Sequence, residues 1–242
     1  MSALLGKVAV VTGGGRGIGQ ATSFSLAKLG ATVVILSNEQ AENENTVYQI
    51  QNSGGKAKGY FCDLASRNSI EQTFNRIEEE VGIVDILINN AGSMIIKPFL
   101  DTTVEEWDTM QALNVRGMYL ATRAAVPNMK LQNKGIIINI SSIWGIKGGP
   151  DRSAYITAKH GVIGFTKALG EEFRPYNIRV NAVCPGPVAT KMMEDLAPEV
   201  NKDDWLHPVD IAEIIVDLCL EKSKSVTAEV IEAFGNGRPV NT

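Results

Sequence analysis

The sequence has little of what secreted and metal-binding proteins are rich in. Only three cysteines and two histidines occur in 242 residues. Cys62, Cys184 and Cys219 are odd in number and widely spaced, which predicts buried thiols in a reducing compartment and not a disulfide framework. His160 and His207 stand apart from the cysteines, so no metal-ligand spacing is present. We therefore expect no metal site.

Long apolar runs and an excess of positive charge are also missing. No segment approaches the roughly 18 consecutive apolar residues that predict a membrane-spanning helix. The net charge is −4 and the pI is about 5.3, which argues against nucleic acid as a partner. The chain also passes directly into an apolar strand without a signal-peptide pattern. Together with the scattered cysteines, these features predict a cytoplasmic protein.

What the sequence does have is a regular alternation of strand-like and helical segments, with 44% hydrophobic residues to build a core. This alternation predicts one α/β domain over residues 1–242, with a Rossmann-type doubly wound parallel sheet of about seven strands flanked by helices. A polar, irregular segment at residues 187–207 is expected to cover the substrate. The predicted strands span residues 7–12, 32–36, 57–61, 84–88, 136–140, 178–183 and 229–233, and the predicted helices span 17–29, 39–52, 66–81, 103–131, 153–173 and 208–220.

The densest group of chemically useful side chains lies between residues 142 and 159. Ser142 follows the fifth predicted strand, and Tyr155 and Lys159 are four residues apart on the next helix, so they share one face. A hydroxyl, a phenol and an ammonium can thus meet at the carboxyl edge of the sheet, where open α/β folds bind ligands. Because a nearby cation lowers the pKa of a phenol, the trio predicts acid–base chemistry. The alternative is an ordinary helix pair beside a serine that ends a strand.

A glycine-rich loop joins the first predicted strand to the first predicted helix. Bare glycines in this setting let backbone N–H groups approach a pyrophosphate at a helix N-terminus. The spacing differs from the usual G-x-G-x-x-G pattern, so a purely structural turn is the alternative. The residues expected to contact a dinucleotide here are Gly13, Gly15, Arg16, Gly17, Ile18 and Gly19.

The end of the second strand indicates which dinucleotide binds. An acidic residue there binds the ribose 2′-OH of NAD, whereas a basic residue accommodates the phosphate of NADP. Ser37 and Asn38 occupy this place and can donate to a phosphate that Arg16 can pair with bidentately. The sequence therefore favours NADP(H). Glu39 keeps NAD(H) possible, because it would reach the ribose if the strand ended later.

Further polar and small residues follow the next two strands. Asp63, with Leu64 after it, can accept from an adenine amino group, or it can instead cap the following helix. Asn114 lies inside a predicted helix, where asparagine is unfavourable unless its amide has a task. Small and amide side chains that would allow a cofactor to approach closely follow the fourth strand as Asn90, Ala91 and Gly92.

These motifs follow one another in a specific order. They are Thr12-Gly13 with Gly17 and Gly19, Asn89-Asn90-Ala91-Gly92, Asn114, Ser142, Tyr155 with Lys159, and Pro185-Gly186. In order and spacing they resemble the short-chain dehydrogenase/reductase family from about residue 6 to residue 190. The middle of the chain is similar to 3-oxoacyl-carrier-protein reductases and related carbonyl reductases.

The resemblance implies reversible hydride transfer between NADP(H) and a carbonyl or secondary alcohol. It makes Tyr155 the acid–base residue, Ser142 the residue that orients the carbonyl, and Lys159 the group that binds the nicotinamide ribose and lowers the pKa of the tyrosine. Asn114 is expected to hold a water in a proton relay. The cofactor contacts implied beyond these include Tyr155 itself and Pro185, Gly186, Val188 and Thr190.

The substrate and the assembly are less constrained. A 3-oxoacyl thioester is one candidate, and a sugar, polyol or small cyclic alcohol is the alternative. Arg152 can meet a substrate carboxylate or phosphate, or it can be a solvated loop charge. Apolar residues that suit an apolar or mixed substrate are Met94, Ile95, Ile96, Trp144, Met192, Met193, Leu196 and Trp205.

Two further points concern the whole protein: an alternative function and an expected assembly. A nucleotide-sensing regulatory protein is the non-enzymatic reading, although the intact Asn114, Ser142, Tyr155 and Lys159 argue against it. A homo-oligomer, either a tetramer or a dimer, is expected from the resemblance and from the two long predicted helices. Both helices carry apolar residues beyond one core-facing stripe.

Overall fold

A seven-stranded parallel sheet forms the centre of the computed structural model, which describes residues 2–196, 199 and 205–235. The strand order is β3-β2-β1-β4-β5-β6-β7. The order reverses between β1 and β4, and this switch point opens a crevice at the carboxyl ends of the strands. The strands are β1 Val8–Thr12, β2 Thr32–Ser37, β3 Lys56–Phe61, β4 Ile86–Asn89, β5 Gly135–Ile140, β6 Ile178–Pro185 and β7 Val230–Ala233.

Helices cover both faces of the sheet. Each crossover between parallel strands carries at least one of them, as a doubly wound fold requires. None of the helices in the described ranges is long and apolar enough to cross a membrane. The helices are α1 Gly17–Lys28, α2 Gln40–Asn52, α3 Arg67–Glu80, α4 Val104–Gln111, α5 Gly117–Leu131, α6 Ser153–Glu172, α7 Lys191–Leu196 and α8 Pro208–Cys219.

The core consists of two apolar clusters, one on each face of the sheet. Successive strand residues alternate between them: Val11 and Ile35 belong to the face covered by α1 and α8, while Val10 and Leu36 belong to the opposite face. This alternation explains why the inner strands β1, β2, β4 and β5 are rich in apolar and β-branched residues, because these strands are buried on both faces of the sheet.

A buried polar network runs beneath the crevice. The amide nitrogen of Asn89 donates to Thr122 Oγ1 at 3.0 Å and to Asn139 Oδ1 at 2.8 Å. The amide nitrogen of Asn139 in turn donates to Thr166 Oγ1 at 2.9 Å. Since buried polar groups are costly without partners, this chain ties β4 and β5 to α5 and α6.

The predicted α/β fold is confirmed, and the element bounds differ by one or two residues at most ends. The helix predicted over residues 103–131 is interrupted by a π-helical turn, Ala112–Arg116, which contains Asn114 and separates α4 from α5. The irregular segment predicted at residues 187–207 was wrong in part, since α7 lies within it. The first turn of α7 is closed by Thr190, whose carbonyl accepts from the N–H of Glu194 at 2.9 Å. Residues 197, 198 and 200–204 of that segment lie outside the described ranges.

Candidate active site

A cleft of about 500 Å³ lies at the carboxyl edge of the sheet. Residues after β1, β2 and β3 line one end, and residues after β4, β5 and β6 line the other. The first end holds the glycine loop and the second holds Ser142, Tyr155 and Lys159. The fold therefore brings both groups of sequence motifs into one continuous space.

Ser142, Tyr155 and Lys159 meet at the end of β5. Ser142 is extended, and its hydroxyl accepts from the backbone N–H of Trp144 at 3.2 Å. Tyr155 and Lys159 lie one turn apart on α6, and both are buried. The ammonium of Lys159 lies 5.6 Å from the centroid of the Tyr155 ring and donates to the carbonyl of Ile140 at 3.0 Å.

Burial controls the ionisation of this group. It raises the pKa of Tyr155 to about 12, and a hydrogen bond with Ser142 offsets only part of that rise. It also lowers the pKa of Lys159 to about 8. The sequence predicted that Lys159 lowers the pKa of the tyrosine, but burial raises this pKa instead, and the ammonium of Lys159 donates to the carbonyl of Ile140. At neutral pH the phenol keeps its proton.

Ser141 contributes a contact that the sequence did not single out. Its hydroxyl donates to the backbone carbonyl of Lys159 at 2.9 Å, and its N–H donates to the carbonyl of Val183 at 2.8 Å. The residue therefore links the ends of β5 and β6 to the middle of α6. A Ser-Ser pair after a strand carries no sequence signal for such a link, because the partner is a backbone atom 18 residues away.

Asn114 occupies the π-helical turn between α4 and α5. Its amide nitrogen donates to the carbonyls of Ser93 and Met110, both at 3.0 Å. Its carbonyl oxygen is buried and has no hydrogen-bond partner. A Cβ on Gly92 would lie 2.6 Å from this oxygen and 3.4 Å from Lys159 Nζ, so only glycine keeps the space between them open. A single π-turn often marks a functional position, and here it presents a free acceptor to the cleft.

The glycine loop has the tight shape that a pyrophosphate site needs. Gly13 and Gly17 have φ angles of +62° and +53°, in the left-handed region that favours glycine. A Cβ on Gly13 would lie 3.1 Å from the Cα of Ala91, which shows how closely the loop packs. The N-terminal N–H groups of α1 face this turn. The loop therefore fits the diphosphate of a dinucleotide cofactor.

Not every predicted loop residue lines the cleft. Arg16, Gly17 and Ile18 line it with Gly13, whereas Gly15 and Gly19 do not. A Cβ on Gly15 would lie 2.9 Å from the Cβ of Glu42. Gly19 is packed against the carbonyl of Gly13 in the same way. These two glycines permit close packing of the loop and do not contact the cleft.

Asn90 fastens the fourth strand to the glycine loop. Its amide nitrogen donates to the carbonyls of Thr12 at 3.0 Å and Gly13 at 3.2 Å. The hydroxyl of Thr12 accepts from the N–H groups of Asn90 and Ala91, both at 3.0 Å. Asn90 and Ala91 line the cleft with Gly92. The amide donors of Asn90 are thus used to shape the loop.

The end of β2 carries more negative charge than the sequence suggested. The strand ends at Ser37, one residue later than predicted, and Ser37 Oγ accepts from the N–H of Glu39 at 2.9 Å. Glu39 and Glu42 line the cleft with Ser37 and Asn38. Arg16 Nη1 lies 3.5 Å from Glu42 Oε1. Glu42 was missed because the first turn of α2 folds back over the loop, which spacing along the chain does not reveal.

Asp63 makes a local contact and also faces the cleft. Its Oδ1 accepts from the N–H of Ala65 at 2.9 Å, while Ser66 caps α3 as predicted. Asp63 therefore shapes the turn ahead of α3 and does not cap the helix, while its place in the cleft is compatible with a contact to adenine. Leu64 lines the cleft beside it. From the end of β6 onward, the predicted cofactor contacts Pro185, Gly186, Val188 and Thr190 line the same space.

The far end of the cleft is mainly apolar, with one arginine. Arg152 lies there next to Trp144. Of the apolar residues that the sequence analysis proposed, Ile95 and Leu196 do not line the cleft. Those that do are Met94, Ile96, Trp144, Met192, Met193 and Trp205.

Known proteins resemble this chain over most of its length. The profile of the short chain dehydrogenase family matches residues 7–201. A 3-oxoacyl-[acyl-carrier-protein] reductase from Aquifex aeolicus is 37% identical over 241 residues, covering 96% of this chain and 97% of the relative. A cyclopentanol dehydrogenase from Comamonas sp. is 40% identical over 190 residues, covering 78% of this chain and 76% of the relative.

The comparison of folds identifies the same class of protein as the comparison of sequences. The solved structure of a putative gluconate dehydrogenase from Agrobacterium tumefaciens superposes with a TM-score of 0.92 at 29% identity and covers 96% of each chain. The family profile spans more than half of the chain, and the Aquifex relative aligns from end to end. This chain belongs to the short-chain dehydrogenase family and is an NAD(P)-dependent oxidoreductase.

Proposed function

We propose that the protein interconverts a carbonyl and a secondary alcohol, with Tyr155 as the acid–base residue. The observation that carries the proposal is the meeting of Ser142, Tyr155 and Lys159 in the same cleft as the glycine loop. When bound, the nicotinamide cofactor supplies or accepts the hydride. The protein's own task is to bind and orient both reactants and to move one proton.

Each polar side chain has a distinct role in this proposal. Tyr155 is protonated at neutral pH, so it can give its proton to the carbonyl oxygen as negative charge develops there. The hydroxyl of Ser142 lowers the pKa of the phenol and can donate to the same substrate oxygen. Lys159 places a positive charge beside the phenol, and this charge favours the tyrosinate that remains after transfer.

Asn114 completes the path by which the proton is replaced. Its free Oδ1 faces the gap beside Gly92, with Lys159 Nζ on the other side of that gap. A water held there would connect the ammonium to the cleft and return a proton to the site. The buried, unpartnered oxygen supports this role, because an acceptor left without any partner is costly.

We also propose that the protein prefers NADP(H) to NAD(H). Ser37 stands where an acid would repel the 2′-phosphate, and the side chain of Arg16 is 54% exposed and only loosely paired with Glu42. Glu39 and Glu42 oppose this preference, since both are acidic and line the same end. The named relatives leave the substrate class open between a 3-oxoacyl thioester, a cyclic alcohol and a sugar acid.

A substrate and cofactor panel tests both proposals. NADPH and NADH are titrated separately to obtain two dissociation constants, and turnover is then measured with 3-oxoacyl thioesters, cyclic ketones and keto-sugar acids. We expect tighter binding of NADPH and turnover of at least one carbonyl class. Arg16→Met should reduce the difference between the dissociation constants of NADPH and NADH. Arg76→Met on α3, outside the cleft, should leave this difference unchanged. Equal or tighter binding of NADH would contradict the preference and point to Glu39 or Glu42.

The protein is further proposed to be a cytoplasmic homo-oligomer. The three cysteines are buried free thiols, which suits a reducing compartment. Tyr119 of α5 and Phe165 of α6 meet edge to face at 6.3 Å, and Tyr119 is exposed. Leu131 at the end of α5 is 85% exposed. Apolar side chains on two neighbouring helices favour a helical interface between copies of the chain.

A further inference from the structure

Arg152 is a charged side chain of the cleft that the proposed chemistry does not use. It is the residue immediately before α6 and stands three positions ahead of Tyr155. It lines the far end of the cleft together with Ser142 and Tyr155. Its guanidinium therefore shares the space in which the reacting carbonyl must lie.

The guanidinium is held in place from two sides. Its central carbon lies 4.9 Å from the centroid of the Trp144 ring, so the cation is positioned over an aromatic face. Its Nη1 donates to the carbonyl of Pro150 at 2.7 Å. The ring in turn packs closely against Gly149, where a Cβ would lie 2.5 Å from Trp144 Cζ3. A cation fixed in this way loses little conformational freedom when it binds a ligand.

One edge of the guanidinium remains without a partner. Arg152 Nε is buried and makes no hydrogen bond, and the neighbouring Ser153 hydroxyl is in the same condition. Among the described residues, no carboxylate forms an ion pair with Arg152. The acidic residues that line the cleft, Glu39, Glu42 and Asp63, all belong to its other end. With Nη1 engaged, Nη2 is the terminal donor left for a carboxylate. Nε is covered in this structure, and a rotation of the guanidinium would have to uncover it before it could add a second, parallel hydrogen bond.

From this arrangement we propose that Arg152 docks a carboxylate of the substrate, so that the protein acts on a short oxo acid or the matching hydroxy acid. The inference rests on the proposed carbonyl–alcohol chemistry. The position three residues before Tyr155 limits the distance between the two side chains, because residues three apart at a helix start have Cβ atoms about 5–6 Å apart. The carboxylate would thus be a few bonds from the carbonyl. A neutral cyclic ketone has no group to offer this arginine.

The test compares an acid with its neutral ester. Reduction of 3-oxobutanoate and of methyl 3-oxobutanoate is measured for the wild type, Arg152→Met, Arg152→Lys and the control Arg174→Met, whose arginine pairs with Glu171 on the surface. The wild type should prefer the acid. In Arg152→Met, KM for the acid should rise about 10- to 100-fold, the loss typical of a charged hydrogen bond, with kcat little changed. The ester should change by less than about threefold, and Arg152→Lys should recover part of the loss.

A third substrate, a thioester of coenzyme A, tests whether the anion that Arg152 binds is a carboxylate or a phosphate. If Arg152→Met raises KM for 3-oxobutanoyl-coenzyme A as much as it raises KM for the acid, the arginine binds a phosphate of coenzyme A. That result would overturn the carboxylate proposal. Equal effects on acid and ester would overturn it as well. Should Arg152→Met fail to fold, competitive inhibition of wild-type turnover by butanoate supports the proposal, and lack of inhibition contradicts it. Absence of turnover with every carbonyl, despite cofactor binding, would instead reject the proposed function.

Discussion

At the scale of single residues, the site is governed by loss of water around two ionisable side chains. Tyr155 and Lys159 are both buried, and burial pushes each towards its uncharged form. The phenol of Tyr155 is consequently protonated at neutral pH. The ammonium is close to losing its charge, since its pKa is lowered to about 8. Structural burial alone thus sets the protonation states from which the chemistry would start.

The depressed pKa of Lys159 predicts a pH dependence of folding. The folded pKa of about 8 lies below the ordinary value of 10.5, so the folded protein releases this proton first as pH rises. The unfolded state then binds more protons, and stability should increase through pH 8–10 by up to about 1.4 kcal/mol per pH unit. The raised pKa of Tyr155 acts with the opposite sign, but only above its unfolded value near 10.

Denaturant unfolding of the wild type and Lys159→Met from pH 7 to 9.5 measures this effect. The wild type should gain stability relative to the variant above pH 8, because the variant lacks the group that titrates. Lys167→Met, on the exposed side of α6, is the matched control. A stability difference between wild type and Lys159→Met that does not vary with pH would show that Lys159 is not destabilised by burial.

Asn114 and Glu42 show what residue spacing can and cannot reveal. An asparagine inside a helical pattern is a local anomaly, so Asn114 could be selected from the sequence alone. Glu42 sits unremarkably in the first turn of α2 and reaches the cleft only because that turn packs over the glycine loop. Local conflicts are visible in a sequence, whereas contacts between elements are not.

At the scale of elements, α6 is the part that must be placed most accurately. Thr166 receives a hydrogen bond from Asn139 of β5, and Ser141 donates to the carbonyl of Lys159 about two turns closer to the cleft. These two links lie on the same side of α6 as Tyr155. The helix that carries the phenol and the ammonium is therefore fixed to β5 at two levels.

Replacing Ser141 tests whether this link positions the chemistry. Ser141→Ala removes the hydrogen bond to Lys159, and a small shift of α6 should lower kcat about tenfold, since misplacement by ~1 Å can cost ~100-fold. Cofactor affinity should change less than about twofold. Ser141→Thr keeps the hydroxyl and should restore most of kcat. The control Ser223→Ala removes a similar side-chain-to-carbonyl bond to Asp217 far from the cleft. An unchanged kcat in Ser141→Ala would make the link purely structural.

The element pattern could be predicted well, with two informative exceptions. Most of the strands are recognisable because β-branched runs stand between turn residues, and Ser66 marks the start of α3. Lys191–Leu196 was not recognised as a helix, because six residues are too short to show an apolar period. The end of β2 differed by one residue, an error that matters because cofactor choice is read at that point.

At the scale of the whole molecule, the strand order creates the site. Crossovers to the left and right of the β1–β4 boundary leave a crevice there, and the loops after six strands converge on it. The alternation of strands and helices was sufficient to predict this architecture. The convergence of Ser142 with the glycine loop followed from it, although the two lie more than 100 residues apart.

The assembly of the molecule can be measured directly. Light scattering at micromolar concentration should give a mass of at least two 26.1 kDa chains, because α5 exposes the side chains of Tyr119 and Leu131. Tyr119→Glu should lower that mass by placing a charge in the interface. Tyr48→Glu, which changes an exposed tyrosine on α2, should leave the mass unchanged. A wild-type mass of a single chain would contradict the proposed oligomer.

The central claim is that Tyr155 transfers the proton, and Tyr155→Phe tests it most directly. The substitution removes one hydroxyl and keeps the buried ring, so the fold and the cofactor dissociation constant should remain within about twofold of the wild type. With the proton donor gone, kcat/KM for any accepted carbonyl should fall by at least about 100-fold, the low end of what acid–base catalysis supplies. Turnover near the wild-type value, with normal cofactor binding, would contradict the account and leave the phenol as a packing residue.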